Sequence, residues 1–91
     1  MDSLKVLNKV GSRIRALRMQ KNISQIRLAF LCNFEKASMS RLETGKTNMS
    51  LLTLHKISKA LDVPLYEFFR EDQAETAKAQ SFRDLSLLQT S

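Results

Sequence analysis

Two short apolar segments lie unusually close together in the stretch SQIRLAFLCNFEKASMSRLETG, between Ser24 and Gly45. Only Cys32-Asn33-Phe34 separates them, and asparagine tolerates the left-handed backbone that ends many helices. Gly45 follows the second segment, at the position where a glycine commonly terminates a helix. The stretch therefore predicts two helices of about two turns each, Gln25 to about Cys32 and about Glu35 to Thr44.

The rest of the chain repeats apolar residues at helical spacing, and it contains only two Gly and one Pro. A first helix is predicted from about Leu4 to Lys21, with Leu7, Val10, Ile14 and Leu17 on its apolar face. A fourth helix follows Ser50, and its apolar face holds Leu51, Leu54, Ile57, Ala60 and Leu61. A fifth begins near Pro64, whose missing N–H is harmless in a first turn. Because strand-like alternation is missing throughout, the predicted fold is all-α with five helices.

The length and the charge distribution both indicate a small binding module. Ninety-one residues fit one domain, predicted over residues 1–70, followed by a polar extension over 71–91 that holds either a short helix or no fixed structure. Residues 1–60 carry 12 Lys and Arg against 3 Asp and Glu, whereas residues 61–91 carry 3 against 6. A basic excess of this kind favours a polyanionic partner such as nucleic acid.

Residues that carry catalysis or bind metals are scarce. Cys32 is the sole cysteine and His55 the sole histidine, and neither has partners at metal-ligand or catalytic spacing. We therefore expect no enzyme activity, no metal and no cofactor. No apolar run is long enough to span a bilayer and the N-terminus lacks a signal-peptide core, so a cytoplasmic location is expected.

Two short helices joined by a tight turn, the second preceded by an apolar anchor at Phe34, form a helix-turn-helix. With GSRIRALRMQKN before it and NMSLLTLHKISKALDVPLYEFF after it, the stretch resembles the Cro/cI-type (XRE) helix-turn-helix repressors of phage and bacteria. The resemblance covers about residues 10–69. The features that carry it are Arg18, Gln25, Leu28-Ala29 and Glu43-Thr44-Gly45. The departures are Asn22, Asn33 and Asp62 where the family usually has Gly, Glu35 where it often has Ser or Thr, and Arg27 where it often has an acidic residue.

The resemblance implies a lambda-repressor-like domain, bacterial or phage-encoded, and assigns roles to particular residues. Gln25 is expected near the DNA backbone. The outer face of the third helix is expected to approach base edges through Lys36, Ala37, Ser38 and Arg41. Ser40 is a further candidate for such a contact. The loop that follows is expected to contact phosphates through Lys46, Thr47 and Asn48. Arg18 and Glu43 are expected to form a structural ion pair that ties the third helix to the first.

These features together predict a sequence-specific regulator of transcription that binds double-stranded DNA as a homodimer on a two-fold operator. The dimer contact is placed on the fifth helix, at Leu65, Tyr66, Phe68 and Phe69. The alternative is that these side chains close the core of the monomer. Because the 91 residues leave no room for a sensor domain, we expect regulation to depend on the concentration of the protein itself.

Two other functions fit parts of the sequence. The apolar spacing in the C-terminal segment SFRDLSLLQTS suits an antitoxin-like module that binds a partner enzyme and regulates its own promoter. The basic face also suits binding to RNA, or to nucleic acid without sequence preference, which phosphate contacts alone would support.

Overall fold

The computed structural model describes residues 2–70, which form four α-helices and one short 3₁₀ helix. The α-helices are α1 (Ser3–Gln20), α2 (Gln25–Cys32), α3 (Lys36–Glu43) and α4 (Leu51–Leu61), and the 3₁₀ helix spans Leu65–Phe69. No strand occurs in this part of the chain, so the all-α prediction is confirmed. The predicted extension, 71–91, lies outside the described residues.

The fifth helix differs from the prediction, because it is a single 3₁₀ turn and not an α-helix. Pro64 before it and Arg70 after it both have extended backbone, which leaves five residues between them. The amide of Glu67 donates to the carbonyl of Pro64 at 3.1 Å, an i to i+3 bond of the tighter helix. A segment this short holds only the tighter turn.

Side chains just before three of the helices accept the first free backbone N–H groups. Asp2 Oδ1 accepts from the amide of Leu4, Ser24 Oγ from that of Arg27, and Ser50 Oγ from that of Thr53, each at 3.0 Å. These bonds satisfy donors that the helix itself leaves unpaired. Ser24 and Ser50 are thus the N-caps of α2 and α4.

Left-handed residues end or follow all four α-helices, so that the chain can turn sharply. Asn22 has φ 58°, Asn33 59°, Gly45 73° and Asp62 56°. Only Gly45 adopts this geometry without steric cost; asparagine tolerates it better than other residue types do. The turns predicted at Asn33 and Gly45 are confirmed, and Asn22 and Asp62 adopt the same geometry where the family usually has Gly.

The core lies where the four α-helices and the 3₁₀ helix meet. Its buried apolar members are Val10, Ile14, Leu17, Leu28, Ala29, Cys32, Met39, Leu42, Leu54, Ile57, Leu61 and Phe68. Phe34 packs against this cluster from the edge, as predicted. Leu51 was predicted to face inward but is 66% exposed, because it lies in the first turn of α4 at the margin of the apolar face.

Helices α1 and α3 approach each other closely at Gly11. A Cβ atom at this position would meet the carbonyl oxygens of Leu42 and Glu43, the latter at 2.7 Å. Only a residue without a side chain fits there. The end of α3 is therefore set directly against the backbone of α1.

Candidate nucleic-acid interface

Helix α3 has two chemically distinct faces. Met39, Leu42 and Glu43 are buried against the core. On the opposite side Lys36, Ala37 and Arg41 are exposed, and Ser38 and Ser40 are half-buried at the border between the faces. The only carboxylate exposed on this helix or its caps is that of Glu35, so the outer face is predominantly basic.

A shallow surface depression of about 260 Å³ lies beside α3. Its walls bring together four of the predicted DNA-contacting residues, which are Ser38, Arg41, Thr47 and Asn48. Phe34 and Leu42 also line it. Lys46 is exposed in the same loop but does not line the depression.

Thr53 of α4 also lines this depression and was missed by the sequence analysis. Its hydroxyl accepts a hydrogen bond from Ser50 Oγ at 2.9 Å, which leaves its own proton for another acceptor. The only sequence signal was its place three residues after a helix cap. That position alone does not distinguish a site residue from an ordinary capping partner.

A buried ion pair joins α1 to the end of α3. Arg18 Nε donates to Glu43 Oε2 at 2.7 Å and Arg18 Nη2 to Glu43 Oε1 at 3.0 Å. Arg18 Nη1 also donates to the carbonyl of Ile23 at 2.9 Å, and Gln25 Nε2 donates to Glu43 Oε1 at 3.1 Å. Gln25 is half-buried as a result. Arg18 and Glu43 thus form the expected ion pair, and the side chain of Gln25 is hydrogen-bonded to it.

A second ion pair, which the sequence analysis missed, ties the 3₁₀ helix to α1. Arg13 Nη2 donates to Glu67 Oε2 at 2.8 Å and Arg13 Nε to the Glu67 carbonyl at 2.9 Å. Arg70 Nη1 adds a bond to Glu67 Oε1 at 3.1 Å. These hydrogen bonds, that of Arg13 first, hold the pKa of the Glu67 carboxyl below its usual range despite partial burial. Arg13 and Glu67 are 54 positions apart in the sequence, so no local pattern indicated the contact.

The residues predicted to form the dimer contact divide between the surface and the core. Tyr66 is 65% exposed and Phe69 54%, and Leu65 is half-buried. Phe68 is completely buried and packs in the monomer core. Its assignment to the dimer contact is therefore corrected, because a side chain enclosed by its own chain cannot meet a partner.

The sole histidine and the sole cysteine both lie outside α3. His55 is exposed on α4. Cys32 is buried at the end of α2, where burial raises the pKa of its thiol more than nearby Lys56 lowers it. Within residues 2–70 no three His, Cys, Asp or Glu side chains are grouped as metal ligands, and no helix is both long and apolar enough to cross a bilayer.

Comparison with known proteins gives a consistent result. A family model described as helix-turn-helix (HTH_3) matches residues 14–68, more than half of the chain. Control protein C.BamHI of Bacillus amyloliquefaciens is 44% identical over 54 residues, covering 58% of this chain and 67% of that protein. Control protein C.MunI of a Mycoplasma species is 33% identical over 76 residues, covering 82% of this chain and 100% of that protein.

A solved structure shares both sequence and fold with the chain. The restriction-modification controller protein C.AhdI from Aeromonas hydrophila has 39% sequence identity and a TM-score of 0.66, over 68% of this chain and 94% of that one. The chain therefore belongs to the helix-turn-helix family of Cro/cI (XRE) type, a family of DNA-binding transcriptional regulators.

Proposed function

We propose that the chain recognises a specific double-stranded DNA sequence by placing α3 in the major groove. The observation that carries this proposal is the division of α3 into a buried apolar face and an exposed face with Lys36, Ala37 and Arg41. The major groove of B-form DNA is wide enough to admit an α-helix, and base edges there differ for every base pair. A rigidly held basic helix is suited to read them.

Three side chains on the exposed face match known base chemistry. The guanidinium of Arg41 can donate two parallel hydrogen bonds to O6 and N7 of one guanine. The compact ammonium group of Lys36 can donate to the same two guanine acceptors. The methyl group of Ala37 can contact a thymine methyl. Ser38 is half-buried beside Arg41, so we assign it a contact at the edge of the groove.

Contacts to phosphates would set the register of α3 on the duplex. Gln25 at the start of α2 and the loop residues Lys46, Thr47 and Asn48 supply the donors. Support comes from the depression beside α3, which Thr47 and Asn48 share with Arg41. We add Thr53, which lines the same depression and whose hydroxyl can still donate, because it accepts the bond from Ser50.

A single recognition helix reads few base pairs, so we propose that the protein binds as a homodimer on a two-fold operator. The exposed rings of Tyr66 and Phe69, with half-buried Leu65, form the contact surface in this proposal. Two half-sites roughly 34 Å apart would then face the same side of the duplex.

We further propose that the regulated genes belong to a restriction–modification system. The support is that C.BamHI and C.MunI are control proteins and that C.AhdI is a restriction-modification controller. The antitoxin-like alternative is not favoured, because these relatives are regulators. The tail on which it depends lies outside the described residues.

The test is a binding selection on random duplexes with the wild type and Arg41→Ala. We expect a two-fold symmetric consensus for the wild type. In Arg41→Ala we expect lost preference at one position of each half-site, with about 1–3 kcal/mol weaker binding to the selected sequence. Arg15→Ala removes an equal charge from the exposed face of α1 and should keep the consensus. Uniform weakening without a change in preference would reduce Arg41 to a phosphate contact.

A further inference from the structure

The buried carboxylate of Glu43 connects the core to a residue that faces DNA in the proposed function. We propose that Glu43 and Arg18 are positioning residues, which orient the Gln25 side-chain amide toward one phosphate of the DNA backbone in each half-site. This inference rests on the proposed function and adds to it how the phosphate contact is built.

Glu43 cannot itself serve as a DNA contact. Its side chain is only 2% exposed, and its negative charge would repel a phosphate. Arg18 compensates that charge with hydrogen bonds to both carboxylate oxygens. The carbonyl of Ile23 accepts from the remaining terminal nitrogen, so the guanidinium is fixed to the turn before α2 as well as to the end of α3.

Gln25 donates to a further acceptor site of the same carboxylate. Glu43 Oε1 accepts from Gln25 Nε2 at 3.1 Å, in addition to the bond from Arg18. Because an amide nitrogen carries two protons, the second N–H of Gln25 stays free for an acceptor such as a phosphate oxygen. The bond to Glu43 thus decides which way the free proton points.

A glutamine held in this way gives up its side-chain freedom during folding, not during DNA binding. An unrestrained glutamine must be ordered when the complex forms, which weakens binding. A purely structural ion pair would make no such contribution, because its effect would not pass through Gln25. The two possibilities therefore predict different DNA affinities once Gln25 is absent. If the ion pair acts through Gln25, its removal should weaken binding no further, whereas a purely structural pair should still weaken binding when it is removed.

The variant that removes the anchor is Arg18→Met/Glu43→Leu, because replacing a buried pair by apolar residues avoids leaving an unpaired charge. It is compared with Gln25→Ala and with the triple variant on the selected operator. We expect Arg18→Met/Glu43→Leu and Gln25→Ala each to weaken operator binding by about 3- to 10-fold, which is the effect of one lost hydrogen bond. The triple variant should bind no more weakly than either of them. Losses that multiply in the triple variant would overturn the proposal.

Phosphate ethylation interference on the same complexes identifies the contact itself. We expect one phosphate in each half-site whose ethylation blocks wild-type binding and no longer matters in any of the three variants. Interference that persists at this phosphate in Arg18→Met/Glu43→Leu would overturn the proposal. If the wild type selects no operator at all, the proposed function fails instead, which keeps the two outcomes distinguishable.

A measurement on the wild-type protein does not depend on the folding of any variant. Nitrogen-15 relaxation of side-chain amides compares Gln25 with Gln20, which is exposed near the end of α1. We expect the Gln25 amide to be ordered without DNA, and Gln20 to show an order parameter below about 0.6. A Gln25 amide as mobile as that of Gln20 would contradict positioning by Glu43.

Discussion

Two single-residue features determine how the short elements sit against α1. Gly11 lets the backbone of α3 approach α1, since any Cβ atom there would overlap the carbonyl oxygens at the end of α3. Arg13 holds the 3₁₀ helix through the carboxylate and the carbonyl of Glu67. Both features lie on the long first helix, which therefore serves as the support for the smaller elements.

Replacing Gly11 by alanine should destabilise the fold even though alanine favours helices by about 1 kcal/mol. The added methyl group would meet backbone atoms, which cannot move aside as a flexible side chain can. We expect a net loss of about 1–3 kcal/mol in the free energy of unfolding, measured with urea. Ser12→Ala, at the exposed neighbouring position, should change it by less than about 0.5 kcal/mol. Equal effects of the two substitutions would contradict the close approach.

The ion pair of Glu67 should make stability depend on pH in acid. Because Arg13 and Arg70 hold its pKa below the ordinary 4.5, the folded state gains stability from the ionised carboxylate at neutral pH. That contribution is lost as the pH falls from about 4.5 through the lower pKa of the folded state.

Urea unfolding between about pH 3 and pH 7 checks this dependence. We expect Arg13→Met to remove most of the Glu67 contribution, since the Arg13 hydrogen bond is the largest cause of the lowered pKa. Arg70→Met should remove less, because Arg70 is the more exposed partner. An unchanged pH profile in Arg13→Met would show that the pair does not stabilise the fold.

At the scale of elements, residues at the helix ends, more than residues in the helix interiors, determine where the short helices begin and end. Helices α2 and α3 have eight residues each, too short to be stable alone in water. Their limits are set by the cap at Ser24 and by left-handed residues at Asn33 and Gly45. Because these residues are local signals, the lengths and the spacing of the two helices could be read from the sequence.

The left-handed residue Asp62 leads to a prediction about the end of α4. Its φ of 56° is strained for an aspartate, whereas glycine adopts it freely. We expect Asp62→Gly to raise the free energy of unfolding by about 0.5–1 kcal/mol after the larger chain entropy of glycine is included. Asn33→Gly should gain less, because asparagine tolerates this region better. Thermal unfolding gives both values, and a loss of stability in Asp62→Gly would contradict the assigned strain.

At the scale of the whole molecule, DNA recognition in the proposed function requires two copies. The described residues leave Tyr66 and Phe69 exposed on the element that is tied to α1 by Arg13. The 3₁₀ helix therefore has a fixed position relative to α3 through α1. A dimer formed through it would hold two recognition helices at a defined separation.

We expect the wild type to sediment as a dimer at tens of micromolar and Tyr66→Glu to sediment as a monomer, because a charge would be buried without a partner. Leu52→Glu is the matched control, since Leu52 is 75% exposed on α4 and lies outside the proposed contact. It should leave the dimer intact. Operator binding should weaken in Tyr66→Glu together with dimerisation, and a wild type that sediments as a monomer would contradict this assignment.

How much of the site could be predicted depends on the distance along the chain over which each signal acts. The pair of Arg18 and Glu43 was expected only because the chain resembles a known family, since the two residues are 25 positions apart. The bond from Gln25 to the same carboxylate was not expected at all. Thr53 was missed because its neighbours in space, Arg41 and Asn48, belong to other elements.

By itself, the sequence determined the four α-helices of this protein, because caps, left-handed turn residues and apolar periodicity act within a few residues. The serines at 24 and 50 and the glycine at 45 are of this kind. Only the tertiary structure decided that Phe68 packs inside while Phe69 remains outside, and that Arg13 holds Glu67. Five residues are too few to define an apolar face, and a contact across 54 residues exists only once the helices have packed.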